Sequence, residues 1–354
     1  MEFVYSFPAV KGVQANKEYY ITMIPLKYLA KILPEPTEYL PPEFRAQRRL
    51  NESRIPEMRD YIIDNRGTYV FSSLTASIDG DYRFEEIEDQ ASVGALHINM
   101  DAKILINDGQ HRRAAITQAI LEDESLGDET ISVVLFEDRG LEKSQQMFTD
   151  LNMNAQKSSN SINTCYETRD PLAVMTKDIV AGNSFLNRYT NLEKDNLGKN
   201  SSHLFTLFTI YRVNQKIVRK TDITEDDYQF FERFWECIVK NIPEWNELRK
   251  KLITKRELRE NYITTLNVTL LAFSRLGIWL YERDIMDMNE YMCKLQNIDW
   301  SRSNPAWRNR IIRDDGKIIN KENAIILAGN YIKEQLGMEL TKEEKKREEG
   351  IDLL

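Results

Sequence analysis

Cysteine is scarce in this 354-residue sequence, and its scarcity argues against two common structural devices. The three cysteines, Cys165, Cys237 and Cys293, are odd in number and lie far apart. A disulfide-stabilised scaffold needs an even set, and a zinc site needs closely spaced pairs. A catalytic cysteine would need a nearby base and an electropositive setting, and the sequence places neither. We therefore expect a reducing, cytoplasmic environment.

Histidines and long apolar runs are scarce as well. Of the three histidines, His97 and His203 lie far in sequence from His111, so no metal site is expected. The most apolar segment, residues 262–281, is interrupted by polar side chains, whereas a membrane span needs ~20 mostly apolar residues. We predict a buried helix there and no membrane partner. The first residues, MEFVYSFPAV, lack the basic start and apolar core of a signal peptide, so secretion is not expected.

The negative charge is concentrated in the first half of the chain. The net charge is −8, and residues 1–165 carry 17 Lys/Arg against 26 Asp/Glu, whereas the remaining residues carry 31 against 30. This balance argues against a generally basic nucleic-acid-binding protein. A polyanion would instead meet local basic faces of the second half or a focused basic pocket in the first.

The first half alternates strand-like and helical patterns. Runs rich in aromatic and β-branched residues predict strands at FVYSFPAV, YYITMI, TYVFSSLTASI, ALHINM, KILI and ISVVLFE. Apolar residues at helical spacing predict helices at PLKYLAKIL, EFRAQRRLNESRIPEMRDYIID, QHRRAAITQAIL and LEKSQQMFTDLN. Pro56 should break the second of these or start a new helix. The polar stretch MNAQKSSNSIN predicts a loop after the last of them.

The second half is predicted to be helical. Apolar residues three and four apart predominate, as in DYQFFERFWECIVKNI and YITTLNVTLLAFSRLGIWLYER. Thr224 with Asp227 three residues later, and Pro243, are typical of helix starts. The stretch TKEEKKREEG mixes both charges and predicts a solvated helix or a frayed terminus.

These patterns predict an α+β protein with two domains. We expect a mixed α/β domain over residues 1–165, an all-helical domain over residues 166–340 and a charged tail over residues 341–354.

The stretch ILINDGQHRRAAI, residues 104–116, predicts an anion pocket. A strand ending at Ile106, a tight Asn-Asp-Gly turn and a helix starting near Gln110 would direct unpaired backbone N–H groups into one small volume. His111, Arg112 and Arg113 would add positive charge, and arginine offers a planar fork for phosphate oxygens. A phosphate group is the expected ligand.

Individual residues of this stretch have structural alternatives. Asp108 either caps the helix or holds a cation or receives a proton. Gly109 either provides a backbone position without a Cβ atom or lets a phosphate approach closely. Arg113 is either part of the pocket or a solvated helix charge.

The pentapeptide Asp108-Gly109-Gln110-His111-Arg112 resembles the motif after which the DGQHR-domain family is named, and the chain resembles the DndB family of DNA phosphorothioation (dnd) cassettes. FRAQRRLNESRIPEMRDYI, MFTDLNMNAQKSSNSI and the helical second half extend the resemblance over most of the chain. The resemblance implies a DNA-binding regulator that represses the modification operon. It implies double-stranded promoter DNA as a partner, with proteins of the modification machinery and a second copy of the chain, in a homo-oligomer, as further candidates.

The DGQHR domain is in turn similar to the ParB/sulfiredoxin-like fold, whose members bind nucleotide phosphates with a Gly-x-x-Arg turn at a helix start. This similarity implies a nucleotide as candidate cofactor. The Asn-rich loop of ParB resembles DLNMNAQK, so Asn152, Asn154 and Lys157 are candidates to complete the pocket, unless they form an ordinary polar turn. Gln110 stands where sulfiredoxin has its reactive cysteine and ParB a metal-binding glutamate. Sulfur-oxide reduction is therefore not expected, and magnesium-dependent nucleotide hydrolysis is disfavoured.

Two basic stretches of the second half are candidate contacts to DNA phosphates. ELRKKLITKRELRE carries six Lys/Arg, and SRSNPAWRNRIIRDDGK interleaves arginines with a tryptophan. The alternative for both is a solvated helix face. The candidate DNA-binding residues are Lys250, Lys251, Lys255, Arg256, Arg302, Arg308, Arg310 and Arg313.

Three functions are compatible with these residues. The leading hypothesis is a DNA-binding regulator whose helical half contacts DNA or a second copy of the chain. The second is a nucleotide hydrolase or phosphoryl-transfer enzyme in which Asp108 or His111 performs acid–base chemistry. The third is a protein adaptor of the modification machinery. The absence of a Walker motif and the neutral Gln110 argue against the enzyme, whereas the net charge of −8 favours the adaptor.

Overall fold

The fold is α+β, and the chain forms two compact units, residues 1–156 and residues 157–354, each with its own hydrophobic core. A mixed sheet lies in the first unit, and helices predominate in the second. The computed structural model describes residues 3–33, 50–88, 90–137, 146–147, 149–151, 158–198 and 200–350.

A seven-stranded sheet forms the centre of the first unit. Its strands are β1 (Val4–Gln14), β2 (Lys17–Pro25), β3 (Leu74–Asp79), β4 (Tyr82–Ile87), β5 (Gln90–Asn99), β6 (Lys103–Asp108) and β7 (Thr130–Glu137). Their order across the sheet is β4-β5-β1-β2-β7-β3-β6. β3 and β7 run parallel, and the other neighbouring pairs run antiparallel. β6, which carries the start of the DGQHR motif, is therefore an edge strand next to β3.

The predicted strands are present, with two differences. The run TYVFSSLTASI is a strand only from Leu74 onward. β4 was not predicted from the sequence, because its charged residues Arg83, Glu85 and Glu86 mask the apolar alternation. β4 lies at the edge of the sheet and pairs with β5 alone, which is where charged side chains are tolerated and protect a strand from aggregation.

Within the described ranges, the helices that accompany the sheet include α1 (Leu26–Ile32), α2 (Ile55–Asp64) and α3 (Gln110–Glu122). Short 3₁₀ turns cover Glu52–Arg54 and Glu124–Asp128. Pro56 lies in the first turn of α2, where its missing N–H costs no hydrogen bond. α3 packs against both α1 and α2, and the core contains Leu29 of α1, Ile62 of α2 and Ile116 of α3.

The second unit is predominantly helical, with one short strand pair that the sequence did not predict. β8 (Thr190–Asn191) and β9 (Phe205–Thr206) run parallel, so the unit is not wholly helical as expected. Its helices are α4 (Asn160–Tyr166), α5 (Pro171–Gly182), α6 (Ser184–Tyr189), α7 (Leu207–Ile217), α8 (Glu225–Asn241), α9 (Pro243–Arg249), α10 (Lys255–Asn261), α11 (Asn267–Tyr281), α12 (Asn289–Met292), α13 (Glu322–Leu336) and α14 (Lys342–Glu349). 3₁₀ turns cover Cys293–Asn297 and Pro305–Trp307. α4 packs on α5 and α7, so the boundary between the compact units precedes α4 and does not follow residue 165.

The helix starts predicted in the second half are confirmed. Thr224 and Asp227 form a capping box, in which each side chain accepts the other residue's backbone N–H, and Pro243 opens α9. α11 is the buried helix expected in the most apolar segment, and Phe273 and Leu276 are completely enclosed. None of the described helices is both long enough and apolar enough to cross a bilayer.

The charged segment at residues 341–350 packs through a buried ionic cluster, so it is neither a wholly solvated helix nor a frayed terminus. The Glu344 carboxylate lies 2.8 Å from Lys333 Nζ and 2.5 Å from Arg275 Nη2. The side chains of Glu344 and Lys333 are only 4% and 3% exposed. Burial by itself raises the pKa of Glu344, but hydrogen bonds from Lys333, Thr341 and Arg275 outweigh it and lower the pKa to about 2.

The Glu344→Ala substitution should lower the free energy of unfolding by about 3–5 kcal/mol at pH 7, because it leaves the Lys333 ammonium buried without a carboxylate. Glu343→Ala is the matched control, since Glu343 is exposed and pairs with Arg347; a change within about 0.5 kcal/mol is expected. Urea denaturation of the three proteins measures both.

The same comparison has a defined pH dependence. The folded-state pKa of Glu344 lies below its ordinary value of 4.5, so its contribution to stability is present above that value and is lost as the pH falls toward about 2. The difference in the free energy of unfolding between Glu344→Ala and the parent protein should become smaller over this pH interval. A gap already absent at pH 7 would contradict the buried ionic cluster.

Candidate functional site

The DGQHR motif connects β6 directly to α3. Asp108 is the last residue of β6 and Gln110 is the first residue of α3, so Gly109 alone forms the turn. The predicted three-residue Asn-Asp-Gly turn is therefore wrong, although the predicted helix start at Gln110 is confirmed. A β-bulge explains the difference. Thr75 pairs with Asp108 and Ala76 with Ile106, which leaves Asn107 as the extra residue of β6.

Gly109 is required by both its backbone conformation and its surroundings. Its φ of 101° lies in the left-handed region, which residues with a Cβ atom avoid. A Cβ atom here would lie 2.4 Å from Leu74 Cδ2 and 3.1 Å from Arg112 Nη2. The space on this side of the turn is thus occupied by protein side chains, and a ligand would reach it only after Arg112 moved.

The Arg112 guanidinium is engaged by internal acceptors. Nη1 donates to the Ser72 carbonyl at 2.7 Å, to the Ser73 carbonyl at 2.9 Å and to the Ser72 hydroxyl. Nη2 donates to Asp108 Oδ2 at 2.5 Å. The side chain is 13% exposed. These contacts join the end of β6 to the segment that precedes β3.

Asp108 does not cap α3. The N-cap residue is Gly109, and no side chain accepts a hydrogen bond from the first turn of the helix among the described residues. Asp108 instead accepts from Arg112 one turn later, and its side chain remains 43% exposed. Because solvent reaches the Asp108 carboxylate, another anion that approached from solvent would compete with it as the partner of Arg112.

His111 acts as a hydrogen-bond acceptor in this structure. The backbone N–H of Asn51 donates to His111 Nε2 at 3.0 Å, and this interaction requires an unprotonated Nε2. Burial lowers the pKa of His111, and the positive charge of Arg54 lowers it further. The expectation that His111 adds positive charge to the pocket near neutral pH is therefore not supported by its contacts.

Arg113 and Gln110 lie beside this network. Arg113 is 6% exposed, so the alternative of a solvated helix charge is wrong. Gln110 is half-buried, and neither residue is without an interaction partner. Asn152, Asn154 and Lys157, the other predicted pocket residues, lie outside the described residues.

Asn107 is a buried polar residue that sequence reasoning did not select. Its Nδ2 donates to Ser77 Oγ at 2.5 Å and to Met147 Sδ at 3.0 Å. Its Oδ1 atom is buried and has no hydrogen-bond partner within the described ranges. In the sequence, Asn107 stands directly before Asp108-Gly109, and an asparagine at such a position is more commonly interpreted as a turn residue.

Groups of three or more His, Cys, Asp or Glu side chains placed to hold a metal ion do not occur in the described part of the chain.

The predicted DNA-binding residues of the second unit differ in how far their charges are available. Five of them have exposed side chains, namely Lys250, Lys251, Arg256, Arg308 and Arg313. Lys255 is half-buried. Arg310 forms an ion pair with Glu348 at 2.5 Å, with both side chains 15% exposed, and it also donates to the Leu327 carbonyl. A DNA phosphate at Arg310 would have to compete with these internal contacts, and DNA binding by Arg310 stays a prediction.

The structure brings Arg256 and Arg302 together, although they come from different basic stretches. Both line one cleft of the second unit, together with Arg259. Arg259 was not among the predicted contacts, although it lies in the same basic stretch as Arg256. Its position beside Arg302 follows from tertiary packing alone.

The comparisons with known proteins give one match. A family model described as DndB, DNA-sulfur modification-associated, matches residues 7–339, a range that extends into both compact units. The match confirms the resemblance inferred from the DGQHR pentapeptide. Neither the curated proteins nor the solved structures contain a match to the chain.

The Arg112→Ala substitution should destabilise the first unit by about 2–4 kcal/mol, because the Ser72 and Ser73 carbonyls and Asp108 lose a charged donor. Asp108→Asn is the comparison variant; it keeps an acceptor for Arg112, and the exposure of the pair limits the expected loss to about 1 kcal/mol. Urea denaturation distinguishes the two. Full stability of Arg112→Ala would mean that the guanidinium is not structurally committed.

His111 should titrate below its ordinary value of 6.5, and Arg54→Gln should raise its pKa by removing the repulsion between the two charges. NMR titration of the imidazole resonances measures both. Because the pKa is lowered in the folded state, the contribution of His111 to stability is present above the unfolded-state pKa and is lost as the pH falls below it. An unshifted His111 that Arg54→Gln does not change would contradict the assigned contact with Asn51.

Proposed function

The chain belongs to the DndB family of DNA-sulfur modification-associated proteins, and from this membership we propose that it is a DNA-binding regulator of a DNA phosphorothioation system that represses the modification operon. The family match is the observation that carries the proposal, because it covers most of the chain and concerns modification of DNA itself. The partner is double-stranded promoter DNA, and the place of action is the cytoplasm.

The basic side chains of the second unit support contact with DNA phosphates. Lys250 and Lys251 are exposed directly after α9, and Arg308 and Arg313 are exposed beside the Pro305–Trp307 turn. Arginine and lysine at such positions neutralise phosphates and release counterions. At Arg310 a DNA phosphate would have to replace Glu348 as the partner of the guanidinium.

The DGQHR turn is proposed as a phosphate pocket in which the incoming phosphate replaces Asp108 as the partner of Arg112. Asp108 is the more exposed member of the pair, and the first turn of α3 has no side-chain cap among the described residues. Gly109 and Arg112 have the Gly-x-x-Arg spacing on which the similarity to the ParB/sulfiredoxin-like fold rests. Asn152, Asn154 and Lys157 remain candidates to complete this pocket.

The proposal is tested by a salt-titrated gel shift with DNA from upstream of the operon. The parent protein should bind at low salt, and its affinity should fall linearly with salt concentration on logarithmic axes. The double variant Lys250→Gln/Lys251→Gln should bind more weakly, with the salt slope reduced by roughly one for each phosphate that a lysine no longer neutralises. Lys345→Gln/Lys346→Gln is the matched control, since it removes two exposed lysines of α14 that are outside both basic stretches.

Two outcomes would overturn the proposal. Absence of any shift by the parent protein at low salt would remove the DNA-binding function. Equal affinity for the upstream fragment and for a coding fragment of the same length would remove promoter-specific repression, because specificity is a ratio of affinities and not a single binding constant.

A further inference from the structure

A cleft of about 510 Å³ in the second unit contains three arginine side chains. Arg256 and Arg259 reach it from α10, and Arg302 reaches it from the segment before the Pro305–Trp307 turn. Asn267, the first residue of α11, lies in the same wall. The cleft is distinct from the DGQHR turn, which belongs to the first unit.

Arg302 has a half-buried charge without a carboxylate partner among the described residues. Its Nη2 atom donates to the Arg259 carbonyl at 2.7 Å, and its Nε atom donates to the Tyr262 carbonyl at 3.3 Å. These two backbone contacts orient the guanidinium but do not neutralise it. Burial lowers the pKa of Arg302, and no charged neighbour contributes to that shift. A half-buried cation of this kind gains free energy when an anion enters the cleft.

The neighbouring arginines add to this potential. Arg259 donates through Nη2 to the Ser201 carbonyl at 3.0 Å and to the His203 carbonyl, and burial lowers its pKa. Arg256 is exposed, and its Nε atom pairs with Glu260 at 2.9 Å. The three guanidinium groups are therefore held at one cleft by contacts that leave room for a further acceptor at Arg302 and Arg256.

The two carboxylates that line the cleft, Asp195 and Glu260, offset part of this charge, but neither forms an ion pair with Arg302. Asp195 lines the cleft, but its two oxygens already accept hydrogen bonds from the backbone and side chains of Asn160 and Ser161. These hydrogen bonds lower the pKa of Asp195 against the opposing effect of burial. Glu260 is the partner of Arg256. Arg302 has no carboxylate within ion-pair distance among the described residues, so an external anion at this position meets a charge that is only partly offset.

Neutral donors lie at the start of α11. Thr209 Oγ1 donates a hydrogen bond to Asn267 Oδ1 at 3.3 Å. The carboxamide oxygen of Asn267 is therefore engaged by Thr209, and its Nδ2 group can donate to a ligand. The N-cap residue of α11 is Leu266, and no side chain of the described residues caps this helix. Its first backbone N–H groups add a favourable potential for an anion near Asn267.

We propose that this cleft binds a phosphate group, with Arg302 as the principal ligand and with Arg256 and Asn267 as further donors. A guanidinium matches the geometry of two phosphate oxygens, and the Asn267 amide, which lines the same cleft, adds a neutral donor to the charged ones. The proposal deepens the proposed function and rests on it only for one source of the phosphate. That source is the DNA backbone, and the other is a free nucleotide.

The direct test is calorimetric titration of the full chain with inorganic pyrophosphate and with ATP. Arg302→Gln should weaken the affinity about tenfold or more, because it removes a charged hydrogen-bond donor to the ligand. Arg256→Gln should weaken it by about threefold, because its charge is exposed and screened. Thermal unfolding of each variant shows whether it is folded.

Two further variants keep the result interpretable if Arg302→Gln does not fold. Arg256 has an exposed side chain whose partner is Glu260, so Arg256→Gln removes charge from the cleft without removing a buried contact. Arg347→Gln is its matched control, because Arg347 also pairs with a glutamate one turn away, in α14, and does not line the cleft. Arg347→Gln should bind pyrophosphate as the parent does.

The gel shift identifies the source of the phosphate. If Arg302→Gln and Arg256→Gln weaken both pyrophosphate and DNA binding, the cleft holds the DNA backbone. If they weaken pyrophosphate and ATP binding but leave DNA binding unchanged, the cleft holds a free nucleotide and the proposed function stands independently. Retained pyrophosphate binding by a parent protein that binds no DNA would support the cleft while removing the proposed function.

Two results would overturn the inference. One is a parent protein that binds neither pyrophosphate nor ATP and whose DNA binding is unchanged by Arg256→Gln. The other is equal weakening by Arg256→Gln and by Arg347→Gln, because that would indicate a general effect of net charge and not a ligand site at the cleft.

Discussion

The hydrogen bonds of the Arg112 guanidinium tie the junction of β6 and α3 to the segment before β3. The guanidinium joins Asp108 at the end of the edge strand to the backbone carbonyls before β3. Gly109 can then turn the chain within a single residue, because its left-handed backbone places Arg112 over the turn. α3 also places His111 where it accepts a hydrogen bond from the backbone N–H of Asn51. The motif therefore contacts two other segments of the first unit, one through Arg112 and one through His111. A phosphate at this turn has to compete with Asp108.

The solvent exposure of an arginine in this chain does not by itself say whether its charge is free to bind an anion. Arg310 is paired with Glu348 and is committed to the fold. Arg302 is half-buried, and its protein contacts are carbonyl oxygens, which orient a guanidinium without cancelling its charge. Charge left uncompensated inside a cleft attracts an anion more strongly than the same charge on an open surface, because the surrounding protein screens it less. This difference separates the cleft of the second unit from the exposed lysines after α9.

A chain with an acidic net charge meets a polyanion most favourably where its positive potential is concentrated locally. The acidic excess lies in residues 1–165, and the remainder of the chain is nearly neutral, so exposed arginines and lysines there are not opposed by a large negative field. Membership of the DndB family connects the chain to DNA-sulfur modification, and the distribution of charge favours the second half over the first for contact with a polyanion.

The sequence alone determined those helices and strands whose signals lie within a few neighbouring residues. The strand runs, the capping box of Thr224 and Asp227, the buried α11 and the helix start at Gln110 all follow from periodicity, capping and side-chain size, which act over a few residues. The family resemblance also followed from one short motif. Only the tertiary structure decided the partners of the charged groups, because pairing depends on contacts between residues distant in the chain. Arg112 meets Ser72, Glu344 meets Lys333 and Arg302 meets the backbone of Arg259 by packing, and no spacing in the sequence encodes which of these charges is satisfied internally and which is left for a ligand.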